Sequence, residues 1–366
     1  MKVIHIITHF SIGGAENVVK TLCTAGKRKD YEQYVIGFRK ADDNVYESKF
    51  KNELKRKGIE VIGLNGKSDV RRFFSLLAYI KKIKPDLIHT HTEIPDFFGS
   101  LASLFFPKVI LCRTIHNTVL WPKHKILGFI SNYIFQEKGK ATICVSESVK
   151  KTFTAKFYRH KNIITIENPI NFIDLAYPVN NNSLKKEYTL LLIGRLTYQK
   201  NFELAIHALN LINKKTNLKF KCLIAGEGEE KEKLIQTVNE LGLKKICKFV
   251  GFVKIDEILK ISDLVISSSI FEGLPLTIIE SLSAGVPVIA SDIPPHQEIV
   301  GKCQYGELFK SGNVEDLANK ILESLTYYNE KKQKAIEASK MVRERFNPSS
   351  QFIKYYNVHK SIINNS

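Results

Sequence analysis

Hydrophobic positions along the chain alternate between short solid runs and longer stretches in which apolar residues recur every three or four places. KVIHIIT, QYVIGF, IEVIGL, PDLIHTH, KVILCRTIH, ATICVS and NIITIEN are dense apolar runs, of the length expected for strands buried on both faces. Between them lie amphipathic patterns: GGAENVVKTLCTAGKR, which opens on two glycines, ESKFKNELKRKG, which ends on Gly58, VRRFFSLLAYIKKIK, FFGSLASLF and ESVKKTFTAKF. A strand followed by a helix, repeated, predicts a parallel sheet covered on both sides. The linker NPINFIDLAYPVNNNSLKKE, rich in Asn and broken by two prolines, interrupts this rhythm. It restarts with YTLLLIGRL, NFELAIHALNLINKK, FKCLIAGEG, EKEKLIQTVNELG, CKFVGF, KIDEILKIS, DLVISSS, PLTIIESLSAG and PVIAS, followed by a short GELF. Two helical stretches close the chain, VEDLANKILESLTYYNEKK and PSSQFIKYYNVHKSII. The pattern predicts an α/β protein of two doubly wound domains, residues 1–170 and 171–345, followed by a helix over residues 346–366. Ligands of open α/β sheets bind beyond the carboxyl ends of the strands, so two such sheets facing across a cleft would share one active site.

Composition adds compartment and partners. The 366 residues suffice for two domains with sizeable cores. The six cysteines lie far apart, form no CxxC pair and mostly sit in apolar runs, and so read as reduced core residues of a cytoplasmic protein. MKVIHIITHF turns polar too early for a signal peptide and reads as a first strand. No run approaches the roughly 20 apolar residues of a membrane span. The net charge of +18 is uneven: residues 1–185 hold 30 Lys and Arg against 16 Asp and Glu, the remainder 25 against 21. Such a field attracts nucleic acid, an anionic membrane or a phosphorylated substrate. No nucleic-acid-binding signature accompanies it, so nucleic acid is not expected.

Candidate chemistry concentrates in the second half. FEGLPLTIIE, residues 271–280, carries Glu272 and Glu280 around Gly273, Leu274 and Pro275. It follows the strand DLVISSS, so Glu272 belongs to the loop at that strand's carboxyl end. Pro275 suits the first helical position, which puts Glu280 in the helix. A helix start favours an anion, and two carboxylates beside it suit sugar hydroxyls. IGRLTYQKN brings Arg195 and Lys200 to the end of another strand, where a fork and a point charge suit a diphosphate. An Arg and a Lys on a loop are also ordinary surface residues. His89 and His91 share one strand face; with no third ligand at a recognisable spacing, their reading is structural. GEGEE, residues 226–230, reads as a turn first and a nucleotide-lining loop second.

The motifs GGAE, PDLIHTH, TIHN, VSES, ENPI, IGRLTYQKN, IAGEGEE and FVGF, and the segment SDLVISSSIFEGLPLTIIESLSAGVPVIASDIPPHQEIV, resemble glycosyltransferase family 4, the retaining enzymes with the GT-B fold, over nearly the whole chain. The spacing of Glu272 and Glu280 is its most specific part. The resemblance implies that Glu280 holds the ribose hydroxyls of a nucleotide sugar and Glu272 the hexose hydroxyls. It implies that Arg195, Lys200 and the backbone N–H groups of Gly273 and Leu274 hold the diphosphate. Gly13 and Gly14 would let the first loop approach donor and acceptor, and His116 would lie near the transferred sugar. Asn168 falls at the hinge end of the first half. The resemblance also implies that the helix over residues 346–366 packs back on the first domain. Catalytic residues on this reading are His116, Glu272, Arg195 and Lys200. No DxD motif occurs, so no metal or other cofactor is expected: cations and a helix start would neutralise the departing diphosphate.

Basic and aromatic residues mix in LWPKHKILGFI, which holds Trp121, and in SLFFPK. Such clusters suit an anionic bilayer surface, although covering core edges would also account for them. The resemblance makes a polyprenyl-diphosphate-linked saccharide the expected acceptor. It implies a peripheral enzyme on the inner face of the cell membrane that moves a hexose or N-acetylhexosamine from a UDP-sugar in O-antigen- or capsule-like polysaccharide or lipopolysaccharide synthesis. The alternative is a nucleotide-sugar protein of the same fold with epimerase or phosphorylase-like activity.

Overall fold

The computed structural model describes residues 1–11, 13–40, 44–121, 124–157, 162–174, 187–301 and 306–365. Most of the Asn-rich linker, residues 175–186, therefore lies outside the described residues, as do Pro122, Lys123 and Cys303. The chain divides into two compact units: unit 1 is Met1–Ile170 with Phe346–Ser366, and unit 2 is Asn171–Arg345.

Unit 1 is a seven-stranded parallel sheet of β1 (Lys2–Ile7), β2 (Glu32–Gly37), β3 (Glu60–Gly63), β4 (Leu87–His91), β5 (Ile110–Ile115), β6 (Gly139–Cys144) and β7 (Ile163–Thr165), in the order 3-2-1-4-5-6-7. The order reverses between β1 and β4, the switch point of a doubly wound sheet. Every residue of β4 is buried, which explains a run without polar alternation. The helix Pro348–Asn364, capped by Asn347, belongs to this unit and packs on the helix Gly14–Ala25. Its Phe352 ring fills the space where a Cβ on Gly26 would stand, 2.3 Å away.

Unit 2 is a six-stranded parallel sheet of β8 (Tyr188–Ile193), β9 (Phe220–Ala225), β10 (Cys247–Gly251), β11 (Leu264–Ser267), β12 (Val288–Ser291) and β13 (Glu307–Phe309), in the order 10-9-8-11-12-13. Its switch point lies between β8 and β11. The core packs strand residues such as Leu190, Leu192, Ile224 and Ile266 against Ile206, Leu209, Leu317 and Ile321 of the covering helices.

Three local readings of the sequence change. Residues Lys125–Lys138 form a helix where the sequence showed a basic, aromatic cluster; its inner face is largely small or polar (Gly128, Ser131, Asn132), which hid the apolar period. The segment read as one helix from Val314 is two, Val314–Thr326 and Tyr328–Arg345. The break lets the Tyr328 hydroxyl donate to Asp263 at 2.9 Å, while the second helix buries Ala335, Ala338 and Val342. Pro275 is the cap before the helix Leu276–Ser283, not its first residue. That helix ends at Gly285, whose φ of +65° is costly for any side chain. There the Val286 N–H donates to the Ser281 carbonyl and the Gly285 N–H to that of Leu282, the paired closure of a glycine-terminated helix.

Candidate active site

The carboxyl ends of β8, β9 and β11 converge in unit 2 and carry the residues singled out in its sequence. After β8 the chain turns through Gly194, exposes Arg195 and forms a short 3-10 turn, Tyr198–Lys200. Asn201 then takes a left-handed conformation, φ +48°, before the helix Phe202–Lys215. Asn accepts that conformation more readily than most residues, which explains the Lys-Asn pair at this turn. The Ser268 hydroxyl, just past β11, donates to the carbonyls of Lys200 and Asn201, both at 2.9 Å. The Ile270 N–H donates to the Gln199 carbonyl at 2.9 Å. These bonds tie the Lys200 turn to the Glu272 loop, 72 positions away in sequence.

Lys200 Nζ lies 2.6 Å from Glu272 Oε1. The same oxygen accepts from Ser269 Oγ at 2.8 Å, and Oε2 accepts from Gln199 Nε2 at 3.2 Å. Burial pushes the Glu272 carboxyl upward, but Lys200, His296 and Ser269 together outweigh it and hold the group below the usual range. Glu272 is therefore an oriented anion, not a proton donor. Glu280, on the helix Leu276–Ser283, is different: burial pushes its carboxyl up to about 7, with Lys200 pulling the other way. Lys200 thus acts electrostatically on both carboxylates. No side chain caps the helix at Pro275, and its first-turn N–H groups are the donors that a helix start leaves without intrahelical partners. Gly273 and Leu274 are buried immediately before it. Among the described residues no carboxylate lies within ion-pair distance of Arg195, whereas Lys200 is already engaged.

The GEGEE turn has its own physical explanation. Gly226 has φ +136°, and a Cβ there would stand 1.9 Å from the Gly194 carbonyl oxygen. The Leu196 N–H donates to Glu227 and the Glu230 N–H to Leu196, at 2.9 and 3.0 Å. The turn is locked to the Arg195 loop by its backbone, which only glycine at position 226 permits.

Gly13, Gly14 and His116 belong to unit 1. Gly13 precedes the helix Gly14–Ala25 with an ordinary negative φ, and the space beside it is filled by the Glu16 carboxylate, 1.9 Å from a Cβ placed there. Gly14 is exposed. His116 follows β5, half-buried, with Nε2 3.3 Å from His91 Nδ1, and burial pushes it down to about 4. Asn168 is buried, its Oδ1 without a hydrogen-bond partner among the described residues. Trp121 departs from the sequence reading: it is 7% exposed, with its ring against Gly128 and its backbone N–H donating to Glu93 Oε1 at 2.6 Å. It is a packing residue, not an element of an open aromatic surface.

His296 was missed. It is fully buried beyond β12, its Nδ1–H donates to the Ser291 carbonyl at 2.8 Å, and Nε2 faces Ser267 Oγ at 3.5 Å. Burial pushes it down to about 4 against the opposing pull of Glu272. The available signal was a lone His after two prolines at a strand end, in SDIPPHQEIV. Ser269 and Gln199 were also unmarked, because their role depends on loops distant in sequence.

Comparison with known proteins gives consistent matches over both units. The family described as Glycosyltransferase Family 4 matches residues 12–172, and that described as Glycosyl transferases group 1 matches residues 176–342. A Campylobacter jejuni protein, GalNAc-alpha-(1->4)-GalNAc-alpha-(1->3)-diNAcBac-PP-undecaprenol alpha-1,4-N-acetyl-D-galactosaminyltransferase, is 28% identical over 80% of this chain and 79% of its own. The Staphylococcus aureus capsular polysaccharide biosynthesis glycosyltransferase CapH is 25% identical over 82% of this chain and 83% of its own. Among solved structures, HepE from Anabaena in complex with UDP-glucose superposes with a TM-score of 0.82 at 20% identity, covering 99% of this chain and all of that one.

Proposed function

The chain belongs to glycosyltransferase family 4, with two Rossmann-like α/β domains of the GT-B type, and from that premise we propose that it moves a hexose or N-acetylhexosamine from a UDP-sugar, with retention, to a polyprenyl-diphosphate-linked saccharide. The observation that carries this reading is the Lys200–Glu272 pair beside an uncapped helix start, with Glu280 on the same helix. Glu280 accepts from the ribose hydroxyls and Glu272 from the hexose hydroxyls. Lys200, Arg195 and the N–H groups of Gly273 and Leu274 take the charge of the departing diphosphate. Neutral His116, with Gly13 and Gly14, serves the acceptor side. This neutralisation uses fixed cations and backbone dipoles, without a metal. The lipid-linked acceptor and the surface-polysaccharide setting draw support from the names of the relatives.

The test is a panel of nucleotide sugars offered with and without a lipid-linked saccharide acceptor. Release of UDP that rises with acceptor, with retained anomeric configuration in the product and kcat unmoved by added Mg²⁺ or Mn²⁺, is the expected result. No UDP release from any UDP-sugar would remove the reading. Glu280 adds a pH signature. A group pushed up to about 7 loses its charge as pH falls below that value, so an acceptor of ribose hydrogen bonds weakens in acid. Between pH 8 and pH 6 the Kd for UDP is expected to rise about tenfold, the loss in ionised fraction one unit below the pKa. In Glu280→Gln the rise disappears, apart from the titration of UDP itself, as read by isothermal calorimetry.

The exposed face of the helix Lys125–Lys138 supports a membrane surface as partner. Ile126, Phe129, Ile130 and Tyr133 are exposed at helical spacing, 77%, 73%, 39% and 65% respectively. The neighbouring helix ends in exposed Leu104 and Phe105. Lys108, Lys125, Lys138 and Lys140 are exposed around them. Apolar residues beneath basic ones suit an anionic interface, and no described helix is long and apolar enough to cross the bilayer. In vesicle sedimentation the chain is expected to bind anionic lipid and to be released by salt. Ile126→Ser with Phe129→Ser is expected to weaken binding more than tenfold, since each inserted side chain is worth about 1.5–3 kcal/mol. Equal recovery in the supernatant with anionic and neutral vesicles would exclude this partner.

A further inference from the structure

Five histidines of unit 1 collect together: His5 on β1, His89 and His91 on β4, His116 after β5, and His359 on the C-terminal helix. Four of them, all but His116, are at most 2% exposed. Three hydrogen bonds run among the five, while His359 Nδ1 also meets the Tyr31 hydroxyl at 2.8 Å and His5 the Gln33 side chain. His5 Nδ1 lies 3.2 Å from His91 Nε2, His91 Nδ1 3.3 Å from His116 Nε2, and His359 Nε2 2.9 Å from His89 Nδ1. His5 Nε2 is buried without a hydrogen-bond partner among the described residues. A core built for packing alone would not gather so many rings whose nitrogens must be satisfied by one another.

We propose that His5, His89 and His91 form a three-imidazole site for a divalent transition ion of the zinc class. The backbone sets the geometry. His89 and His91 stand two apart on one strand and so share a face, and His5 is the register partner of His89 on the adjacent parallel strand. Their ligand atoms lie within 4.8 Å of one another. The 3.2 Å between His5 Nδ1 and His91 Nε2 is close to the edge of a tetrahedron with zinc–nitrogen bonds of about 2.0–2.1 Å. The outer contacts are of the kind that orient metal-bound imidazoles: His91 keeps Nδ1 toward His116, and His89 Nε2 lies 2.7 Å from Thr114 Oγ1, so that His89 would bind the ion through Nδ1 in exchange for its contact with His359 Nε2. Imidazole donors without carboxylate select zinc, cobalt, nickel or copper over magnesium or calcium.

A second grouping, His89, Cys112 and His359, shares His89. The 3.2 Å edge between His5 Nδ1 and His91 Nε2 favours the all-imidazole set. A metal at the first set joins β1 to β4 below the loops that leave their carboxyl ends. Its effect is on the stability of unit 1, and it is independent of the donor chemistry proposed above.

The test uses the full chain without a polyhistidine tag, stripped by a chelator and titrated with Co²⁺, with Zn²⁺ as competitor. One Co²⁺ per chain with visible absorption bands, displaced by Zn²⁺, is expected, and no near-ultraviolet band from a thiolate ligand. Zn²⁺ at about a hundredfold excess over its Kd is expected to raise Tm by about 5–10 °C. His5→Gln and His91→Gln are expected to weaken Co²⁺ binding at least about 100-fold, beyond what loss of an outer partner alone causes. His359→Gln is expected to retain it. Absence of stoichiometric Co²⁺ binding by the unaltered chain overturns the proposal, and needs no variant to fold. So does a thiolate band, or binding lost in His359→Gln but kept in His5→Gln.

Discussion

Replacing Lys200 by alanine is expected to lower kcat for sugar transfer about 10²–10³-fold, the usual cost of removing one preorganised group from a developing anion. On the donor chemistry proposed above, the effect should exceed that of any change in KM, because the charge that Lys200 would meet grows as the diphosphate departs. The structure adds a second signature. Lys200, 2.6 Å from Glu272, leads the contributions that hold that buried carboxyl below its usual range. Without it, burial acts largely unopposed and the Glu272 carboxyl rises. The residual activity of Lys200→Ala should therefore fall away at a higher pH, on acidification, than that of the unaltered enzyme. The pair is also a stability element of defined sign. A carboxyl held below its unfolded value contributes stability above that value, near 4.5, and loses it as pH falls through the folded one. Steady-state kinetics across pH 5–9, with circular dichroism to check folding, would decide the matter. A folded variant with kcat within threefold of the original would show that Lys200 does not meet the leaving group.

Asp96→Ala is expected to be the most damaging single change to unit 1. Arg113 is 1% exposed in the middle of the sheet, with Nη1 3.1 Å from Asp96 Oδ2 and its guanidinium 4.0 Å from the Phe135 ring centre. Asp96 also accepts from Ser131 Oγ at 2.8 Å and from Thr90 Oγ1 at 3.0 Å. Removing the carboxylate leaves a buried cation and two hydroxyls without their acceptor, at a cost of about 3–5 kcal/mol. For a unit of this size that corresponds to a fall in Tm of roughly 10–15 °C. Replacing both partners, Asp96→Leu with Arg113→Met, removes the charge together with its partner and is expected to recover most of the loss. Calorimetry of the single and double variants separates the two cases: a double variant as unstable as Asp96→Ala would mean that the pair itself, not the stranded charge, stabilises the sheet.

These two expectations differ in how visible they were in the sequence. Glu272, Arg195 and Lys200 could be assigned to strand ends, and Glu280 to the helix that follows, because apolar runs mark where buried strands stop, and functional loops begin there. The Lys200–Glu272 contact itself could not be read, since it spans 72 positions and depends on Ser268 and Gln199 joining two loops. Arg113 stood in the sequence as a charge inside an apolar strand, with nothing to show that Asp96 would answer it from the helix Glu93–Ser103 that precedes that strand. His89 and His91 read as structural for want of a third ligand. The fold brings His5 beside them from the neighbouring strand.

What the sequence determined by itself is therefore periodic and local: buried strands of about five residues, alternating helices, and two halves of like architecture. These follow from solvent exclusion and backbone sterics acting over a few residues. Tertiary structure alone decided which charges meet, which histidines cluster, that Trp121 turns inward while Ile126, Phe129 and Tyr133 stay exposed, and that Glu280 is pushed up to about 7 while Glu272 is held low. Those properties depend on distance and burial across strands far apart in sequence, and a one-dimensional pattern carries neither.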